Sequence, residues 1–155
     1  MIKNISLSSF FLIMFLGLIG PNKSQASESF RISQLQIISE TQIHLFTVEI
    51  AETSYQRSLG LQNRKTMLPN HGMLFDFKKT VAVTMWMKNT PLSLDMFFIN
   101  ENGTIINIAR NTEPFSLKHI KSAGPAKAVL EVLAGTAKRL NIKAGDQIVH
   151  SMFQN

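Results

Sequence analysis

Lys88, Asn89 and Asp95 stand in a stretch, residues 85–99, whose other members are mostly apolar or strand-forming and which holds the chain's single tryptophan, Trp86. Polar groups carried into such a run must be hydrogen-bonded or face a cleft, because leaving one buried and unpaired costs about 1–3 kcal/mol. On an extended backbone Trp86 and Lys88 share one face, while Met85, Met87 and Asn89 share the other. Asp95 falls with Phe97 and Ile99. Pro91 fixes its own φ and drives Thr90 out of the helical region, so the chain turns there and can return Asp95 beside Lys88 or Asn89. One reading is a polar cleft formed by Lys88, Asn89, Asp95 and Trp86 with Arg57 and Arg64, which binds a small polar or anionic ligand that Asp95 orients, or else a protein partner. The other is structural: Asp95 accepts backbone donors of the turn and pairs with a cation. Breaking such a buried pair costs about 3–5 kcal/mol, enough by itself to demand these residue types.

Two further chemistries use the same stretch. Met85 and Met87 project from one strand face, and their thioethers are soft donors suited to Cu(I), with His44, His71 or Met96 as a third ligand. Methionine is equally an ordinary filler of apolar cores. Asp95 and Lys88 would form an acid–base pair if desolvated. No nucleophile elbow, phosphate loop or His pair at ligand spacing accompanies them, so the sequence assigns no catalytic residue and calls for no cofactor.

The rest of the chain limits these readings. Lys3 precedes an apolar run, residues 10–19, and a polar segment ending Ser24-Gln25-Ala26, the pattern of a secretory signal peptide cleaved after Ala26. The run is short for a membrane span, so contact with a membrane is expected only if this segment stays uncleaved. Residues 27–155 then form one domain, expected in the periplasm or secreted. The chain has no cysteine, which rules out a disulfide, a thiol nucleophile and a lipid anchor. Of sixteen basic residues, Lys3 and Lys23 leave with the signal, and the remaining fourteen against ten acidic give net +4. These charges are scattered, never more than two adjacent, and the aromatics sit in strand patterns. A nucleic-acid surface would cluster both, so no nucleic-acid partner is expected.

Stepping along the mature chain, residues 34–39 and 43–51 are β-branched and partly alternating about a polar connection, which predicts a hairpin. Thr53-Ser54-Tyr55-Gln56 is a capping-box pattern that should start a short helix ending near Gly60. Strands are expected over 73–77, 81–87 and 92–99, and Asn102-Gly103 should turn the last of these into 104–109. Residues 110–125 read as a loop, 126–133 as a strand, 137–140 as a second short helix and 147–153 as the last strand. About eight strands and two short helices without βαβ rhythm predict a mainly β (α+β) fold, an antiparallel or mixed β-barrel or sandwich.

The blocks Ala51-Glu52-Thr53, Arg57-Ser58-Leu59-Gly60-Leu61, Gly72-Met73-Leu74-Phe75, Trp86-Met87-Lys88-Asn89-Thr90, Leu94-Asp95, Ala126 to Glu131, and Ala134-Gly135 with Gly145-Asp146 resemble the family of domain of unknown function 192. The resemblance covers roughly residues 46–153. It implies a small β-rich fold, frequently exported, and carries no established activity. Gln62 and Phe115 depart from the family's usual methionine and cysteine at those places, so any thiol role in relatives has no counterpart here.

Overall fold

The computed structural model describes residues 29–40 and 42–153, which leaves the signal segment outside the described residues. Seven strands form one sheet: β1 (Arg31–Ile38), β2 (Ile43–Ala51), β3 (His71–Met85), β4 (Leu94–Ile99), β5 (Ile105–Ala109), β6 (Ile120–Leu133) and β7 (Gln147–Val149). Two short helices interrupt them, α1 (Ser54–Leu59) and α2 (Thr136–Arg139), and a 3-10 turn, Ser151–Phe153, follows β7. The sheet order is β5-β4-β6-β3-β2-β1-β7. Every pairing is antiparallel except β2 with β3, whose parallel register requires the crossover that α1 supplies.

The sheet curls until its edge strands meet at one end. There the Ile105 amide donates to the Asp146 carbonyl (2.9 Å), the Gly145 amide to the Ile105 carbonyl (2.8 Å) and the Ile148 amide to the Gly103 carbonyl (2.8 Å). Gly103 has φ +83°, and a Cβ there would sit 2.4 Å from the Ile148 carbonyl oxygen, so only glycine permits this closure. The Asn102-Gly103 turn expected from sequence therefore both reverses the chain and joins the edges. Asn100 stabilises it by accepting from the amides of Asn102 (2.9 Å) and Thr104 (3.0 Å).

Curling buries the central strands on both faces. Leu74, Phe97, Ile99, Leu130 and Val132 point into the half-barrel with Leu35, Ile37, Phe46, Val48 and Ile50. Met73, Phe75, Met96, Phe98 and Val129 form a second apolar cluster on the outer face with Leu61 and Met87. All six residues of β4 are buried in consequence, which accounts for a sequence that is apolar except at Asp95.

Three expectations are corrected. The strands expected at 73–77 and 81–87 are one strand, β3, carried through the polar Lys78-Lys79-Thr80 by a register shift between Asp76 and Val81 with Lys78 at φ +66°. Strand β6 starts at Ile120, inside the expected loop, because Gly124-Pro125 lies where the ladder shifts register again and needs no proline donor. The last strand ends at Val149 instead of 153. Both hairpins and both helices stand where the sequence put them.

Candidate functional site

The helix α1 sits over the outer face of the sheet because its start is fixed on both sides. Thr53 Oγ1 accepts from the Gln56 amide (3.1 Å), while Gln56 Oε1 accepts from the amides of Thr53 (3.1 Å) and Glu52 (3.0 Å). Arg57, on the next turn, donates through Nη1 to the carbonyls of Glu52 (2.9 Å) and Asp76 (2.8 Å) and lies 5.8 Å from the Phe77 ring centroid. Its guanidinium thus ties α1 to β3 while its charge remains at the edge of a pocket.

That pocket, about 240 Å³, lies between α1 with the segment after it, the end of β3, and β6. Its apolar wall is Leu59, Leu61, Phe75, Phe77 and Met85, and its polar lining includes Arg57, Gln62, Trp86, Lys88 and Glu131. Trp86 is 49% exposed at the mouth, and Lys88 Nζ stands 5.5 Å from its ring centroid, within cation–π range. Among the described residues Lys88 has no carboxylate partner. The turn carrying these two side chains is held on one flank by the Asn63 amide donating to the Asn89 carbonyl (2.7 Å), and on the other by the Met87 amide donating to the Ser116 carbonyl (3.0 Å). Asn89, at φ +53°, also donates from Nδ2 to Gln62 Oε1 (3.1 Å), so it shapes the mouth without lining the pocket.

Glu131 is the residue that sequence reasoning did not single out. It lies on β6 between Met73 of β3 and Met96 of β4 in the ladder, on the face of the second apolar cluster, and is only 4% exposed. Its carboxyl makes no hydrogen bond to any described residue, and no buried polar side-chain atom among those residues is left without a partner, so its oxygens open to the pocket. Burial pushes this carboxyl up to about 8, which keeps it protonated at neutral pH. The signal in the sequence was an acid inside Val129-Leu130-Glu131-Val132-Leu133, an otherwise apolar strand. Gly72 makes the placement possible, because a Cβ there would sit 2.5 Å from the Glu131 carbonyl oxygen and push β3 away from β6.

The remaining residues named from sequence lie elsewhere. Asp95 is fully buried, and its two oxygens accept from the amides of Asn111 (2.9 Å) and Ala137 (2.8 Å). Those partners, and not Lys88 or Asn89, satisfy it. Arg64 forms a two-pronged ion pair with Glu49 and lines a separate pocket beside β2. Met85 lines the Glu131 pocket, whereas the Met87 sulfur is buried and accepts from Thr112 Oγ1 (3.2 Å). His44 is within hydrogen-bond reach of Ser39 Oγ at 3.3 Å, and His71 lines the Arg64 pocket. Among the described residues no group of three His, Cys, Asp or Glu side chains is placed to hold a metal. No helix among them is long and apolar enough to cross a membrane.

Comparisons with known proteins place the chain. A protein of Sinorhizobium meliloti 1021, described as a candidate transcription regulator, shares 45% identity over 80% of this chain and 97% of its own, with a TM-score of 0.78. A protein of unknown function from Novosphingobium aromaticivorans DSM 12444 shares 33% identity over 81% of this chain and 89% of its own, with a TM-score of 0.77. No curated protein matches the chain. The model of the DUF192 family, described as an uncharacterized ACR, matches residues 35–150, which takes in the capping box, the Trp86 turn, Asp95 and Glu131, and the chain accordingly belongs to that family.

Proposed function

We propose that this protein is an exported binding domain that takes a small polar or anionic ligand into the pocket between α1, the Trp86 turn and β6. The observation that carries the reading is the juxtaposition of an exposed tryptophan, two cations and an unbonded buried carboxyl around one apolar-walled cavity of about 240 Å³. Pockets that bind small molecules are mostly apolar with a few convergent polar groups, and this volume, below the roughly 300–1,000 Å³ of drug-sized sites, suits a metabolite-sized ligand. Arg57 and Lys88 set a positive field there. Export rests on the N-terminal signal pattern, with cleavage after Ala26, and a mature N-terminus at Met1 would contradict it.

A melting-shift screen of small polar and anionic metabolites against the mature protein tests the reading. A ligand at 100 times its Kd stabilises the fold by about 2.7 kcal/mol. Lys88→Met, at the exposed mouth, should melt as the wild type does without ligand and lose the shift with it. A shift that survives in Lys88→Met and in Trp86→Phe would place the ligand elsewhere.

A further inference from the structure

The Glu131 pocket has a chemical asymmetry that narrows its ligand. Its floor holds a carboxyl with no hydrogen-bond partner among the described residues. Its charged lining is otherwise wholly positive, with Arg57 from α1 and Lys88 from the turn after β3. The strands packed on either side of Glu131 bring no charge to it: β3 presents Met73 and Phe75, β4 presents Met96 and Phe98, and Asp95, the one acid of β4, points with Phe97 and Ile99 to the opposite face. A buried carboxyl with an open hydrogen-bond position, no nearby anion and no direct ion pair is a donor when it carries its proton.

Resting on the binding reading above, we propose that Glu131 is a ligand-binding residue that donates its proton in a hydrogen bond to the carboxylate of a small monocarboxylate whose flat apolar body lies against the Trp86 side of the pocket. Hydrogen bonds to an ionised acceptor are about twice as strong as neutral ones, and the burial of Glu131, 4% exposed, favours that strength. A phosphate would match the positive charges equally well. It would, however, lose its hydration against Leu59, Leu61, Phe75, Phe77 and Met85, whereas a monocarboxylate puts apolar surface on that wall. Arg57 is held by two backbone carbonyls, so it acts through its charge, and Lys88, with no carboxylate partner among the described residues, is the cation that meets the ligand directly.

Benzoate, benzamide and benzylamine serve as anionic, neutral and cationic probes of one size, and the chain's only tryptophan reports occupancy directly. The expected result is saturable quenching or shift of Trp86 fluorescence by benzoate at pH 6, with affinity about tenfold weaker at pH 9, because a carboxyl titrating at about 8 is then about nine-tenths ionised. Glu131→Gln, a neutral donor of the same shape, should bind benzoate with no such pH dependence, and Lys88→Gln should weaken it at both pH values. Equal benzoate affinity at pH 6 and pH 9 in the wild type would overturn the proton-donating role and leave the pocket reading standing. Benzylamine binding in place of benzoate would also overturn it, since Glu131 would then act as an anion in a true ligand pocket. Silence of Trp86 and of the melting temperature to all three would overturn both readings.

Discussion

The amide of Ala137 donates a 2.8 Å hydrogen bond to Asp95 Oδ2, tying the first turn of α2 to the fully buried strand β4. The other oxygen takes the Asn111 amide at 2.9 Å, so one carboxylate fixes both the exit of β5 and the entry of α2. With hydrogen bonds to a charged group contributing roughly 1.5–3 kcal/mol each, Asp95→Ala should destabilise the protein by about 3 kcal/mol or more in urea unfolding. Asp95→Asn keeps one acceptor oxygen and should cost about half as much. An unchanged unfolding midpoint for Asp95→Ala would show that these amides find other partners.

Glu131 should make stability fall as pH rises. In the unfolded chain a glutamate loses its proton near 4.5, whereas the native residue keeps it to about 8, so between those values the native state binds the extra proton. Stability conferred by that proton is fully present below pH 4.5, declines across the window by up to about 1.4 kcal/mol per pH unit, and levels off above 8. The difference in unfolding free energy between Glu131→Gln and wild type, followed from pH 4.5 to 8.5, should therefore grow in favour of the variant. A flat difference would mean that Glu131 is ionised in the native state.

Closure of the half-barrel hinges on Gly103. Gly103→Ala introduces a Cβ at 2.4 Å from the Ile148 carbonyl oxygen at a residue whose φ is +83°, so backbone must move. The expected loss is about 2 kcal/mol or more, with increased hydrogen exchange at the amides of Ile105 and Ile148, which bridge the two edges. Protection at both amides equal to wild type would contradict the closure.

Local chemistry was legible in the sequence wherever a few neighbouring residues decide the structure. The Thr53–Gln56 capping box, the Asn102-Gly103 turn and the first hairpin all formed as expected, since the first two are satisfied within a few residues and the hairpin pairs two strands adjacent in sequence. Polar and proline breakers misled where a ladder partner absorbs them, as at Lys78-Lys79-Thr80 and Gly124-Pro125. Alternation correctly set Asp95 on the face of Phe97 and Ile99, but it carries no information about the partner across the fold, and Asp95 met Asn111 and Ala137. Trp86, Lys88 and Arg57 did converge on one pocket. Glu131 was missed because its significance comes from α1 and the Trp86 turn closing over β6, an arrangement made by residues some 40–75 positions away in sequence.

The most direct test of the ligand pocket follows the Trp86 indole N–H in nitrogen–proton NMR spectra as benzoate is added to the mature protein at pH 6. The pocket account predicts that this resonance and the amides of residues 57–62 move together and saturate, while the amides of Leu35 and Ile37 in the half-barrel interior stay fixed. Saturable shifts confined to the Arg64 pocket, or none at Trp86 at saturating benzoate, would contradict it.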